Sequence, residues 1–177
     1  MYEKTYPDKR FAKTIEFLEK HVGKQESILD LGVPNPLSKI MKDSGYLVKN
    51  TGGEDLDFNF SSVTDFKGDV VTAFEIFEHL LAPLNVLSEI KANKLVTSIP
   101  LRLWFSPAYR SKTDPWDRHY HEFEDWQFDW LLEKSGWEIK DGLKWTHPVK
   151  KLGVRPIFRL FTPRYYIVYA ERKSFKR

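Results

Sequence analysis

The chain has 177 residues, with 28 Lys or Arg, 25 Asp or Glu and no cysteine, for a formal net charge of +3. That length suits one domain with a sizeable core, and 41% hydrophobic against 30% charged residues is a composition that collapses rather than stays disordered. The missing cysteines exclude disulfides, thiolate nucleophiles and cysteine-bound zinc or iron–sulfur clusters.

A cytoplasmic location is expected, because Met1 to Thr5 lacks the apolar core of a signal peptide and no apolar run reaches the roughly 18 to 20 residues that span a bilayer. From Lys140 onward eleven Lys or Arg stand against two acids, so the preceding part carries about −6. With no nucleic-acid motif beside it, this basic part reads as a solvated edge rather than a nucleic-acid surface.

In chain order, Phe11, Ile15, Leu18 and Val22 recur at helical spacing, Pro7-Asp8 gives a start, Glu16 and Lys20 can pair, and Gly23 ends the run. Ser27 to Gly32 is a short apolar run closing on an acid and a glycine, as in a buried strand entering a tight turn. Pro36 pushes Asn35 into extended geometry and suits the first helical position itself, so Asn35 caps a short helix that buries Leu37, Ile40 and Met41 and stops at Gly45. Tyr46–Thr51, Asp69–Phe74 and Lys94–Ile99 read as strands, with a helix over Pro83–Lys91 that buries Leu84, Leu87 and Ile90. A helix over Glu122–Ser135, a strand at Trp137–Lys140 and an interior strand at Tyr165–Ala170 complete the pattern. Recurring strand–helix–strand units imply parallel pairing with right-handed crossovers.

This order resembles class I S-adenosylmethionine-dependent methyltransferases of the small-molecule type. The residues carrying the likeness are Ile28-Leu29-Asp30-Leu31-Gly32, the stretch Asp69 to Leu80 with its Glu78-His79 pair, and His121-Glu122-Phe123 leading into Leu131 to Ile139. The likeness covers roughly residues 10 to 172. It implies an α/β fold: a mostly parallel, doubly wound sheet, Rossmann-like, with helices on both faces and an antiparallel last strand. Between Val48 and Asp69 there is too little chain for both the usual helix and third strand, so the fold is expected to be trimmed there. One domain over 1–177 is expected, with 101–121 covering the substrate.

The resemblance also implies S-adenosylmethionine as cofactor and a small-molecule substrate. Asp30 and Gly32 match the family's first motif, while Pro34 and Pro36 replace its later glycines with residues of fixed φ and no N–H. For the ribose, Glu54, Asp55 or Asp57 could supply the acid, and Phe74 and Glu75 should lie beside the transferred group. His79 is the leading candidate base, with His119 and His121 as alternatives, although Glu78-His79 could instead cap the helix after Leu81. Trp104, Tyr109, Trp116 and Tyr120 are the substrate-facing aromatics, whereas Phe123, Phe128 and Trp130 should pack beneath the last helix. Asp117, His119, His121 and Glu122 are expected to form salt bridges with Arg118 or lysines, and no metal is expected.

G-x-S-x-G, G-x-x-x-x-G-K-[ST] and G-x-G-x-x-G are all absent, which argues against an elbow-type serine hydrolase, a P-loop nucleotidase and a dinucleotide enzyme. The rival reading is a non-catalytic binding module on the same sheet that has lost the cofactor. The sequence leaves the methyl acceptor and the oligomeric state open.

Overall fold

The structure, a computed structural model, describes residues 7–149 and 153–173. Met1 to Thr5, on which the signal-peptide expectation rests, and Lys150, Lys151, Lys176 and Arg177 of the basic part lie outside the described residues.

Six strands form one sheet: β1 (Ser27–Asp30), β2 (Leu47–Asn50), β3 (Val70–Phe74), β4 (Lys94–Pro100), β5 (Trp137–Thr146) and β6 (Pro163–Arg172). Their order is β2-β1-β3-β4-β6-β5. The first four pair in parallel, while β6 runs antiparallel to both β4 and β5. The helices are α1 (Pro7–His21), α2 (Pro36–Asp43), α3 (Ser61–Thr64), α4 (Pro83–Glu89), α5 (Asp125–Lys134) and α6 (Val154–Phe161). The expected trimming is present: one helical turn, α3, bridges β2 to β3 where a helix and a further strand would need more chain.

Consecutive apolar residues along each central strand point to opposite faces, and both faces are covered, so the strands read as continuous apolar runs. Leu29, Val71, Leu95 and Val168 join α4 and α5 residues such as Val86, Leu87, Phe128 and Leu132 in one core. Their neighbours Ile28, Val70, Val96 and Ile167 join Phe17, Leu18, Leu37 and Met41 of α1 and α2 in the other.

Local chemistry sets several boundaries as expected. Asn35 is extended at φ −141°, its side chain accepts the Ser38 amide, and the Ser38 hydroxyl accepts the Asn35 amide in return. Gly45 and Gly136 take φ near +90°, closing α2 and α5.

Other expectations are corrected. Ile40 is exposed and Ser38 is buried in its place, and α4 turns Pro83, Val86, Leu87 and Ile90 inward while Leu84 faces out. Lys20 reaches Asp141 of β5 at 2.6 Å rather than Glu16. The strand expected at Trp137–Lys140 runs on to Thr146, with a bulge at Ile139/Asp141, and α6 occupies an interval that carried no expected element.

Candidate functional site

A crevice of about 330 Å³ opens beyond the carboxyl ends of β1 and β3, lined by Arg10 and Phe11 of α1, the Asp30–Leu37 turn and Phe74 to Ile76. This is where an open parallel sheet leaves room for a ligand. Asp30 is 3% exposed and already satisfied: Thr72 Oγ1 donates to one carboxylate oxygen at 2.7 Å and Asn50 Nδ2 to the other at 3.0 Å. Burial nevertheless pushes its pKa up to about 6, against the pull of those two donors.

Gly32 takes φ +112°, donates its amide to Thr51 Oγ1 at 2.7 Å, and so holds the turn against the end of β2. Residues 33–36 are exposed, so the double-proline bend lies at the rim and leaves the crevice open. Gly53 sustains a second close approach: at φ +89°, a Cβ there would stand 2.8 Å from Val33 Cγ1.

Directly after β3, Glu75 takes the left-handed region at φ 58°, a conformation costly for a residue with a side chain and often found where a site fixes geometry. Its carboxylate accepts from Ser98 Oγ at 2.9 Å and faces the Arg10 guanidinium at 3.4 Å. Burial raises its pKa, while Arg10 and Ser98 pull the other way. Arg10 escaped the sequence reading because a single basic residue on a solvated helix gives no signal until the helix is docked.

Two residues after Glu75, the 3-10 turn Phe77–His79 begins and carries a second cluster. The Glu78 carbonyl accepts the amides of Tyr120 (2.8 Å) and His121 (3.2 Å), which fastens the segment after β4 onto this turn. His119 is thereby set edge-on to His79, ring centroids 4.8 Å apart. Glu78 is 1% exposed; its Oε2 has no hydrogen-bond partner among the described residues, and its Oε1 lies 3.7 Å from His79 Nε2. Burial and the Glu75 charge hold its carboxyl well above the ordinary range. Burial, with the nearby His79 and Arg164, pushes His119 down to about 4, leaving it neutral at pH 7. His79 Nδ1 lies 3.0 Å from the Arg118 carbonyl, which can only accept, so Nδ1 carries the proton of that bond.

The remaining expected residues divide. Phe74 and Glu75 lie in the crevice with Asp30 and Gly32. Asp57 does not line it: both its oxygens accept α4-entry amides, Leu81 at 2.8 Å and Ala82 at 2.9 Å, so this acid, rather than Glu78-His79, anchors that helix start. Glu54, half-buried just after Gly53, does not line the crevice either; the Ser62 hydroxyl and nearby backbone amides favour its ionised form. His121 turns away from His79, reaching the Leu81 carbonyl at 3.2 Å and stacking on Phe123.

Tyr109 and Tyr120 line a cavity of about 520 Å³ together with His119, Arg110, Lys112 and Arg118. Trp104 instead packs on Phe105 and Phe158 of α6, and Trp116 is 73% exposed. Phe123 and Phe128 are buried as expected, but Trp130 is exposed and pairs edge-on with Trp126. Asp117 and Glu122 accept from the Tyr109 hydroxyl and amide respectively, rather than pairing with Arg118 or a lysine.

No protein-family model and no curated protein sequence matches the chain. Solved structures do resemble it. Magnesium protoporphyrin IX methyltransferase from Synechocystis PCC 6803, with S-adenosylhomocysteine bound, superposes with a TM-score of 0.63 at 13% identity, over 93% of this chain and 83% of that one. A SAM-dependent methyltransferase from Archaeoglobus fulgidus gives 0.62 at 16% identity, covering 93% and 94%. One from Mesorhizobium loti gives 0.54 at 12%, covering 89% and 96%. The chain therefore has the class I methyltransferase fold, with its mostly parallel sheet and antiparallel last strand.

Proposed function

We propose that the chain transfers the methyl group of S-adenosylmethionine to a small-molecule acceptor. The observation that carries this reading is the charged lining of the crevice: the Arg10 guanidinium and the Glu75 carboxylate, 3.4 Å apart, with the buried Asp30 carboxyl beside them, around about 330 Å³. That volume falls in the usual range for small-molecule sites. The methionine end of the cofactor carries a carboxylate, an ammonium and a cationic sulfur, so a guanidinium and the Glu75 carboxylate in the lining complement it in charge. The Arg10–Glu75 separation of 3.4 Å is longer than a tight charge-assisted bond, which leaves the guanidinium free to turn to an incoming carboxylate. With Asp57 engaged at the start of α4, Glu54 is the acid assigned to the ribose.

When bound, the cofactor supplies an electrophilic methyl group on a sulfonium. The chain's part is alignment and exclusion of water, since an in-line displacement needs little else. Glu75, rigid in its left-handed conformation, fixes one wall. The acceptor enters from the side of Tyr109 and Tyr120, where Arg110, Lys112 and Arg118 favour an electron-rich or anionic group. Its proton is left to the cluster of Glu78, His79 and His119.

Calorimetric titration of the full chain with S-adenosylmethionine and S-adenosylhomocysteine tests this. Saturable binding in the micromolar range is expected; no heat and no thermal stabilisation at millimolar ligand would leave the non-catalytic module instead.

A further inference from the structure

We propose that Glu78, His79 and His119 form a binding site for a divalent cation of the zinc or manganese class. One ligand atom from each lies within 4.8 Å of the other two. Two contacts within the cluster are incomplete. With Nδ1 committed to the Arg118 carbonyl, His79 Nε2 faces Glu78 Oε1 at 3.7 Å, too far for a hydrogen bond. Glu78 Oε2 is buried with no hydrogen-bond partner among the described residues, a condition that costs free energy unless something fills it.

A cation between these atoms resolves both. Metal–nitrogen and metal–oxygen bonds of about 2.0 to 2.2 Å at a near-tetrahedral angle place ligand atoms roughly 3.4 Å apart, so the Glu78–His79 pair at 3.7 Å needs a small contraction and His119, within 4.8 Å of both, a larger side-chain movement. The Nδ1–H bond to a backbone carbonyl is the outer contact that orients a ligating imidazole and leaves its Nε2 free for a metal. Two imidazoles with one carboxylate favour a borderline first-row ion over calcium or magnesium, and three protein ligands leave positions open for an oxygen donor. The cavity lined by Tyr109 and Tyr120 shares His119, so that donor is a hydroxyl of the acceptor, whose ionisation a bound cation promotes with release of the proton to solvent, in place of transfer to the cluster. The site itself does not depend on the methyl-transfer reading; only this use of it does.

The sequence expectation of no metal concerned Asp117, His119, His121 and Glu122. Of these, His119 alone joins the new set, because Tyr109 holds Asp117 and Glu122 and the Leu81 carbonyl holds His121.

The test is titration of the chelator-stripped full chain with Co2+ alone, read by its visible absorption, followed by displacement with Zn2+. Stoichiometric, Zn2+-displaceable binding is expected, weakened more than roughly tenfold in Glu78→Gln and in His119→Gln, with circular dichroism confirming that each variant folds. Absence of saturable binding below millimolar Co2+, or binding that both folded variants retain unchanged, overturns the proposal. Binding of S-adenosylhomocysteine to the same metal-stripped protein is measured separately, so a failure of either reading shows without the other.

Discussion

Replacing Thr72 with valine keeps the shape of a fully buried side chain while removing the hydroxyl that donates to Asp30 at 2.7 Å. The effect should depend on pH in a calculable direction. Folding raises the Asp30 pKa from 3.8 to about 6, so between those values the folded state holds a proton that the unfolded chain has released. The wild-type protein therefore loses roughly 3 kcal/mol as pH rises from about 4 to about 6, at 1.36 kcal/mol per tenfold change in proton affinity. In Thr72→Val the ionised carboxylate loses one of its two side-chain donors, so its pKa climbs further and the decline continues to higher pH. At pH 8 the cost should be about 2 kcal/mol, typical of a hydrogen bond to a charged buried group, and at pH 5, with Asp30 protonated, about 1 kcal/mol. Urea denaturation of both proteins at pH 5 and pH 8 measures this. An equal cost at the two pH values would refute the coupling of Thr72 to a buried, titrating Asp30.

Arg10→Gln should weaken S-adenosylhomocysteine binding about tenfold by calorimetry while the urea midpoint stays near that of the wild type, the loss expected for one charge-assisted contact. Asp57→Ala should do the reverse, costing about 1 kcal/mol in denaturation through the lost anchor of α4 while cofactor affinity is unchanged. Phe128→Ala should destabilise by about 3 to 5 kcal/mol in the same assay, since its side chain is fully buried between Phe77 and Phe123. Because the unfolded chain protonates His119 near 6.5 and the folded state resists until about 4, stability should fall as pH drops through that window. His119→Gln should flatten that fall in pH-dependent thermal melts, by an amount reduced by the residue's partial exposure.

What the sequence made legible is what local chemistry decides. The Asn35-Pro36 helix start, the acid and glycine closing β1, and the apolar runs of β3 and β4 follow from capping, backbone preference and burial within a few residues. The register of an amphipathic face was less accessible: Ile40 and Leu84 are apolar at permissible spacings, and only the docking angle of a short helix decides that Ser38 and Val86 go inward. α6 was hidden because Arg155, Pro156 and Arg159 interrupt its apolar residues, and its face is exposed rather than packed into the core. The site divides along the same line. Asp30, Gly32, Phe74 and Glu75 sit at strand ends and could be placed from the strands alone. The role of Asp57 could not, since its amide partners lie 24 and 25 residues away, nor could the meeting of His79 with His119, which depends on two amides reaching the Glu78 carbonyl.

A crystal structure of the full chain grown with S-adenosylhomocysteine tests the central claim most directly. The ligand should lie in the crevice with its carboxylate on Arg10, its sulfur beside Glu75 and its ribose toward Glu54. Density for the ligand elsewhere, or a crevice closed by residues 33–36 at saturating concentration, would contradict the assignment.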